Sequence, residues 1–187
     1  DKAGVEAVCV APNIDQLHVI DHISGEEMQQ QRNVLVESAR IARGNVQDVS
    51  TFVVDDIDAL IIPGGFGVAK NLFDYAVAGI DCKVTPAVEQ FIQQVHASGK
   101  PIGAICIAPT LLAKCLGDNI ELTIGNDAST AEDIVKFGGK HIECHVDDIV
   151  IDANNKIVST PAYMQAKSIK EAAAGIKKLV AQVLRMI

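Results

Sequence analysis

The sequence predicts an α/β fold: a mostly parallel sheet with helices on both faces and a small β-hairpin. Strand-like and helix-like segments alternate along most of the 187 residues, which is the order of a parallel sheet joined by crossover helices. Residues 59–62 (ALII) form a continuous apolar run, typical of a strand that is buried on both faces. Two apolar runs within residues 149–158 flank Asn154 and Asn155, and this pattern predicts the hairpin.

The other elements follow from short local patterns. Apolar runs predict strands at residues 7–11, 17–20, 101–106 and 121–124. Apolar stripes at helical spacing predict helices at residues 29–42, 108–116 and from about 165 to the end. Thr85 followed by Pro86 predicts a helix start, because Thr is a good N-cap and Pro fits the first helical position. Ser129 and Glu132 have the spacing of a capping box and predict one more helix.

Length and composition predict one domain over residues 1–187 and exclude several classes of protein. With 49% hydrophobic residues the chain can bury a substantial core, which argues against disorder. No apolar run reaches the roughly 20 residues of a membrane span. The net charge of −8 and the lack of basic clusters argue against a nucleic-acid partner and against a membrane partner.

The five cysteines are scattered and form no CxxC pair: Cys9, Cys82, Cys106, Cys115 and Cys144. This usage argues against a disulfide scaffold and against a structural zinc site. No secretory signal pattern opens the chain. We therefore expect a cytoplasmic location, with the mitochondrial matrix as the alternative for a eukaryotic source.

The most informative segment is residues 99–113 (GKPIGAICIAPTLLA). A predicted strand runs directly into Cys106, and Pro109 stands where the next helix begins. A strand–turn–helix joint with a nucleophile at its apex is the geometry of a nucleophile elbow, and a helix N-terminus favours the thiolate. The alternative interpretation is that Cys106 is one more small core cysteine, the most frequent place for a free thiol.

A second candidate lies after the predicted strand 59–62, where Gly64 and Gly65 open the sequence GGFG. Glycines at this point let backbone amides approach a ligand closely and form an oxyanion hole. Taken alone, the pattern is weak evidence, because such glycine runs are often simple turns. Together with Cys106 it indicates acyl or carbonyl chemistry.

The remaining polar candidates each have a structural alternative. Arg32 could bind a carboxylate through two hydrogen bonds, or could simply lie on the surface beside a helix. Asn71 could line the pocket, or could begin a helix. His145, Asp147 and Asp148 could imitate a metal site, but neighbours on an extended segment point to opposite faces. A metal site needs three or four convergent ligands, so we predict no metal here.

Several longer motifs carry a family resemblance: residues 62–72 (IPGGFGVAKNL), 101–109 (PIGAICIAP), 160–164 (TPAYM), 32–41 (RNVLVESARI) and 122–125 (LTIG). They resemble the ElbB family of isoprenoid-biosynthesis (enhancing lycopene biosynthesis) glyoxalase-like proteins. That family belongs to the PfpI-type superfamily of class I glutamine-amidotransferase-like folds, which also holds the parkinsonism-associated protein deglycase. The resemblance spans essentially the whole chain.

The resemblance implies a flavodoxin-like sandwich with a nucleophilic or oxidisable cysteine at Cys106 and oxyanion donors at Gly64 and Gly65. The amide of Ile107 is a further candidate donor. The implied activity is conversion of glyoxal to glycolate without a cofactor, on a small aldehyde substrate, by a homodimer. Two alternatives stay open: a non-enzymatic protein that senses redox state through Cys106 and, less favoured, a cysteine peptidase or amidase.

The sequence departs from the family pattern in two ways. The family opens with a strand, a loop that bears an acidic residue, and a helix, whereas this sequence starts where that helix should end. We therefore expect the first strand–helix unit, with the glutamate that holds a proton beside the cysteine, to be missing from it. Many superfamily members also carry a histidine after the strand that follows the elbow. Residues 123–127 (TIGND) contain none, which argues against a Cys–His–acid hydrolase.

Overall fold

The computed structural model describes residues 2–187. Its α-helices are α1 (Val34–Ile41), α2 (Tyr75–Ala78), α3 (Pro86–Ala97), α4 (Ala108–Leu116), α5 (Ala128–Lys136) and α6 (Ile169–Arg185). Its strands are β1 (Cys9–Ala11), β2 (Val46–Asp48), β3 (Leu60–Ile62), β4 (Ile102–Ile105), β5 (Glu121–Leu122), β6 (Lys140–His141), β7 (Val150–Asp152) and β8 (Ile157–Thr160). Short 3-10 turns cover Val54–Asp56, Gly79–Asp81 and Ala162–Met164, and a π-helical turn covers Val68–Leu72. Within residues 2–187, no helix combines the length and the apolar character that crossing a membrane requires.

The central sheet contains β3, β4, β8 and β7 in that order. β4 pairs in parallel with β3 on one side and with β8 on the other, where Ile105 lies opposite Thr160. β7 and β8 pair antiparallel and form the predicted hairpin. Two further parallel pairs join β1 to β2 and β5 to β6. The predicted α/β class, with a mostly parallel sheet, is therefore confirmed.

Helices pack on both faces of this sheet. Ile102 and Ala104 of β4 are fully buried in a hydrophobic cluster that also contains residues of α3 and α4. Ile105 belongs to a second cluster, which contains residues of α6. Gly103 faces α6 so closely that a Cβ atom there would lie 2.8 Å from Leu179 Cδ2. Since successive side chains of a strand point to opposite faces, β4 is covered from both sides.

Side-chain caps determine where two of the helices begin. Asn33 Oδ1 accepts a hydrogen bond from the amide of Val36 at 3.1 Å, and α1 starts at Val34 rather than near residue 29. Ser168 Oγ accepts one from the amide of Glu171 at 3.3 Å, and α6 starts at Ile169 rather than near residue 165. Both predicted helices are present, but each begins later than its apolar pattern because the cap residue fixes the first turn.

The N-cap of α5 is Asp127, so the predicted capping box at Ser129 is wrong. Asp127 Oδ1 accepts a hydrogen bond from the amide of Thr130 at 2.8 Å, and hydrogen bonds with Thr130 lower the pKa of the Asp127 carboxyl. Asp is as good an N-cap as Ser, so the earlier residue takes the position. Thr85 does precede α3 as predicted, but its hydroxyl donates to the carbonyl of Asn71 at 2.8 Å instead of capping the helix.

One predicted strand is wrong, and the observed strands β2 and β6 were not predicted. Residues 17–20 form no strand; Ile20 makes an isolated bridge with Glu27, and the carbonyl of Val19 accepts from the amide of Met28 at 2.7 Å. β2 has no counterpart among the predicted strands. It has the polar Gln47 at its centre and is defined by pairing with the distant β1, which a local pattern does not reveal.

β1 and β3 each have one edge without a partner strand in the described chain. Within residues 2–187, β1 pairs with β2 alone and β3 with β4 alone. Such an edge presents unpaired backbone amides and carbonyls. The expected absence of a first strand–helix unit concerns residues ahead of Asp1 and stays a prediction.

A buried aspartate joins the hairpin to β5. Asp152 accepts hydrogen bonds from the amide of Glu121 at 2.9 Å, from the amide of Asn155 at 3.0 Å and from Asn155 Nδ2 at 2.8 Å. Burial raises the pKa of the Asp152 carboxyl, but these hydrogen bonds outweigh burial and the pKa is lowered. The carboxylate therefore stabilises the fold in its charged form.

We expect Asp152→Ala to lower the free energy of unfolding by about 3 kcal/mol, because partly buried donors at Glu121 and Asn155 lose a charged acceptor. Urea denaturation at pH 7 measures this. Asp147→Ala, at an exposed loop position, is the matched control and should change stability by less than about 0.5 kcal/mol. The Asp152 contribution is present above the unfolded carboxyl pKa of about 3.9 and is lost as the pH falls through the lowered folded pKa. Equal stability of the two variants would contradict the assignment.

Candidate active site around Cys106

Cys106 lies at the apex of a sharp turn between β4 and α4. Its φ is +63°, a left-handed conformation that is uncommon and strained for a residue other than glycine. Its amide donates to the carbonyl of Thr160 at 3.0 Å, which ties the turn to the end of β8. The thiol is partly exposed, whereas Cys82 and Cys115 are buried. This is the strand–turn–helix geometry that the sequence predicts; the reactivity of Cys106 stays a prediction.

The Gly64–Gly65 loop runs directly against this turn. Gly64 has φ +85°, and a Cβ atom there would overlap the carbonyl oxygen of Ile105 and lie 3.0 Å from Cys106 Cβ. Gly65 also has φ +85° but has open space where a Cβ would be. Gly64 therefore permits the close approach of the two loops, and Gly65 only needs the conformational freedom of glycine.

Three backbone amides around Cys106 have no protein partner. In the part of the chain that the structure describes, the amides of Gly64, Gly65 and Ile107 donate to no backbone or side-chain acceptor. Ile107 is the N-cap of α4, whose N-terminal end carries a partial positive charge. Free amides beside a nucleophile are the composition of an oxyanion hole, so the three predicted donors are available for that role.

Asn71 has a structural task in the described chain. Its Oδ1 accepts from the amide of Leu17 at 2.9 Å, which anchors the loop after β1 to the π-helical turn. Asn71 also lines a cavity of about 280 Å³, together with Lys70, Asp74 and Lys83. Its carboxamide oxygen is engaged, while its role in substrate binding stays a prediction.

Arg32 is exposed and engaged by its neighbours. Its Nη2 donates to Gln30 Oε1 at 3.2 Å, and its Nη1 lies 3.7 Å from the carboxylate of Glu37 in α1. These contacts match the surface alternative for Arg32 and do not join it to the loops after β3 and β4. Its role in binding a substrate carboxylate is untested and stays a prediction.

The segment after β5, where many related folds carry a histidine, contains Gly125 and no histidine. Gly125 follows β5 with φ +99°, a conformation that favours glycine, and a Cβ atom there would lie 2.6 Å from Gln165 Cδ, so the Gln165 side chain would have to move for a larger residue. Instead, His141 comes from β6, and its Nε2 accepts a hydrogen bond from the amide of Ile124 at 3.3 Å. Burial lowers the pKa of His141, against an opposing effect of Glu143. The parallel β5–β6 pairing brings this ring to the end of β5, a contact that the sequence pattern did not indicate.

The residues around His145 do not form a metal site in the described chain. His145 Nδ1 lies 3.9 Å from Asp147, and Asp148 pairs with Lys178 at 3.2 Å. Within residues 2–187, no three His, Cys, Asp or Glu side chains converge. Lys178 and the hydrogen bonds of the Asp148 carboxylate lower the pKa of that carboxyl.

Comparison with known proteins identifies the family. The sequence profile described as the DJ-1/PfpI family matches residues 2–166. The chain belongs to the DJ-1/PfpI family. This membership confirms the predicted superfamily and, with the observed sheet, its flavodoxin-like fold.

Relatives within and around the DJ-1/PfpI family support the predicted resemblance. The human "glutamine amidotransferase-like class 1 domain-containing protein 3, mitochondrial" is 43% identical over 195 residues, covering 99% of this chain and 72% of that protein. An isoprenoid biosynthesis protein with an amidotransferase-like domain from Ehrlichia chaffeensis has a TM-score of 0.88 and 38% identity, over 95% of this chain and 82% of the other. Glyoxalase III from Candida albicans has a TM-score of 0.55 at 17% identity, over 82% and 68% of the two chains, and shares the fold.

We expect Gly64→Ala to destabilise the protein more than Gly65→Ala. Both substitutions place alanine at φ +85°, so both carry the same backbone strain, but only Gly64→Ala forces a Cβ against Ile105 and Cys106. The extra cost should be about 2 kcal/mol, the usual effect of overpacking. Urea denaturation measures it, and the rate of Cys106 alkylation by iodoacetamide should change in Gly64→Ala alone. Equal effects of the two variants on both readouts would refute the close approach.

His141 predicts a pH dependence of stability. Because its folded pKa is lowered, the unfolded chain takes up the proton first as the pH falls. The contribution of His141 to the free energy of unfolding is present above the unfolded pKa of about 6.5 and is lost as the pH falls through the lowered folded pKa. His141→Gln keeps an acceptor for the Ile124 amide and should flatten the stability profile between about pH 8 and pH 5. His145→Gln, in an exposed loop, serves as the control; an unchanged slope in His141→Gln would contradict the assignment.

Proposed function

We propose that the protein is a cofactor-independent glyoxalase-like enzyme that converts glyoxal and other small 2-oxoaldehydes to the corresponding hydroxy acid. The observation that carries the proposal is the set of three free amides, at Gly64, Gly65 and Ile107, around a partly exposed thiol on a strained turn. A thiol beside fixed donors suits addition to a carbonyl, since the oxygen becomes negative as the C–S bond forms.

The reaction uses the thiol once and regenerates it. The Cys106 thiolate adds to one aldehyde carbon of glyoxal, and the C–S bond forms as that oxygen becomes an alkoxide and then a hydroxyl. A base moves the proton from this carbon to the neighbouring carbonyl carbon, so the first carbon is oxidised to a thioester and the second is reduced to an alcohol. Water then cleaves the C–S bond and releases glycolate and the thiol. The base is the carboxylate that the family resemblance implies.

The proposed activity requires neither glutathione nor a metal, because the protein thiol takes the place of a soluble thiol and the amides take the place of a Lewis acid. A hydrolase of the Cys–His–acid type has less support. Gly125, after β5, has a backbone conformation that favours glycine, and His141 uses Nε2 to accept from a backbone amide.

Two further proposals follow the comparisons. The human relative and the rat ES1 protein homolog, which is 42% identical over 99% of this chain and 73% of that protein, both have "mitochondrial" in their names. We therefore propose a mitochondrial location in place of the cytoplasm. The homodimer implied by the family resemblance is also kept as a proposal, and size-exclusion chromatography with light scattering tests it.

The second candidate function is redox sensing at Cys106. It is favoured by the contrast among the cysteines: burial raises the pKa of the Cys115 thiol to about 12 and that of the Cys144 thiol to about 11. These two thiols are therefore poor targets for peroxide, and Cys106 lies at the N-terminal end of α4, a position that favours a thiolate. Hydrogen peroxide would oxidise the thiolate to sulfenic acid with release of hydroxide, and a second peroxide would give sulfinic acid.

We expect Cys106→Ser to reduce the conversion of glyoxal to glycolate at least about 100-fold, because the hydroxyl is a far weaker nucleophile. Formation of glycolate is followed by proton NMR. Cys9→Ser, at the exposed cysteine of β1, is the matched control and should keep the wild-type rate. An unchanged rate in Cys106→Ser would rule out the covalent mechanism. Selective, stable oxidation of Cys106 by mild peroxide in mass spectrometry, with negligible glyoxal turnover, would favour the sensor.

A further inference from the structure

Aromatic residues are divided into two groups in this protein. The chain has five Phe, two Tyr and no Trp. Five of these rings are packed against one another in the pairs Phe52–Phe91, Phe73–Tyr75 and Tyr75–Phe137. The other two, Phe66 and Tyr163, are 76% and 58% exposed. Both therefore expose an apolar surface that core packing does not explain.

Both exposed rings lie at the Cys106 end of the sheet. β4 leads to Cys106 and lies between β3 and β8; Phe66 follows β3 and Tyr163 follows β8. Gly64, which contacts Cys106, is two residues before Phe66, and Thr160, whose carbonyl accepts from the Cys106 amide, is three residues before Tyr163. At 3.8 Å per residue, the Cα atoms of Phe66 and Tyr163 are within about 8 Å and 11 Å of those anchors. The loops that carry the two rings thus lie on either side of the turn that carries Cys106.

A cation lies over the Phe66 ring, and the backbone beside Tyr163 is held in place. Lys70 Nζ lies 5.4 Å from the centre of the Phe66 ring, a cation–π contact that restricts its rotation. Tyr163 follows Ala162, which is 1% exposed and has φ +42°, so its turn is fixed by buried backbone. A binding surface that is already ordered loses less entropy when a ligand binds to it.

We propose that Phe66 and Tyr163 are specificity-determining residues that select 2-oxoaldehydes carrying an aryl group over glyoxal. The inference rests on the proposed function, since it names the substrate class of that site. Rings flanking a thiol favour a planar apolar substituent, which can stack or make an edge contact. Glyoxal has no such substituent, so contact with the two rings does not raise its kcat/KM in the same way.

The chemistry is unchanged for an aryl substrate such as phenylglyoxal. The Cys106 thiolate adds to the aldehyde carbon, and the base moves the proton from that carbon to the neighbouring ketone carbon. The aldehyde carbon is oxidised to a thioester and the ketone carbon is reduced to a secondary alcohol. Water cleaves the thioester and releases mandelate and the thiol, while the phenyl ring forms and breaks no bond.

The first experiment compares kcat/KM for phenylglyoxal and for glyoxal, with mandelate and glycolate followed by NMR. The wild type should prefer phenylglyoxal. Phe66→Leu and Tyr163→Leu, which keep apolar bulk but lose the ring, should each lower that preference about three- to tenfold. Ile41→Ala, an exposed apolar residue of α1, is the control and should change neither rate. A preference that is unchanged in both ring variants overturns the proposal.

The second experiment does not depend on turnover. Initial rates of Cys106 alkylation by N-benzyl-iodoacetamide and by iodoacetamide are compared by mass spectrometry. The ratio should favour the benzyl reagent in the wild type and fall in Phe66→Leu and Tyr163→Leu. If glyoxal and phenylglyoxal are not turned over but this ratio behaves as expected, the glyoxalase function fails and aryl recognition stands. If turnover occurs but neither the ratio nor the substrate preference responds to the variants, aryl recognition fails and the glyoxalase function stands.

Discussion

The position of every group in the candidate site depends on the pairing of β4 with a parallel strand on each side. Strands that run in parallel end at the same edge of the sheet, so the loops after β3, β4 and β8 meet there. The hydrogen bond from the Cys106 amide to Thr160 extends the β4–β8 pairing by one residue into the turn. Cys106 is therefore held by the sheet itself, although it belongs to neither strand.

β8 connects the central sheet to three neighbouring parts of the molecule: Thr123 after β5, the loop at Asp148, and α6. Ser159 and Thr160 are fully buried and both use their hydroxyls: Ser159 Oγ accepts from the amide of Thr123, and Thr160 Oγ1 donates to the carbonyl of Asp148 at 2.7 Å. A Cβ at Gly175 of α6 would overlap Thr160 Oγ1, so the helix packs against this strand with no space left. Satisfied buried hydroxyls of this kind fix one register, because a shifted strand would leave each of them without a partner.

The apolar elements could be predicted from the sequence, and the polar strands β2 and β6 could not. β3, β4, α3 and α4 are each specified by a local apolar pattern and by a proline or glycine at an end, so local information suffices. β2 and β6 are two or three residues long and exist because a distant strand pairs with them. Residues 17–20 have the apolar character of a strand, but their backbone partners lie in the adjacent loop. An apolar stripe does not fix the first residue of a helix. Where several residues could act as the N-cap, as near Asp127, the residue that caps determines where the helix begins.

The same division applies to the site. The strand–turn–helix joint at Cys106 and the glycine loop could be predicted, since both depend on residue types that a tight turn requires. The hydrogen bonds of Asn71 and the ion pair of Arg32 could not be predicted. Each depends on which residues lie beside the side chain in the folded protein, and the local sequence does not show this. His141 approaches Ile124 through the β5–β6 pairing, and the two residues share no motif in the sequence.

The candidate donors at Gly64, Gly65 and Ile107 belong to the main chain, and this has a consequence for genetics. A scan that replaces each side chain in turn with alanine would keep all three N–H groups, so it would not test the proposed oxyanion donors and would report only on their surroundings. Natural variation acts under the same restriction: the donors persist through any substitution, other than proline, that leaves the path of the backbone intact. Replacement of one amide by an ester removes a single donor and leaves every side chain unchanged.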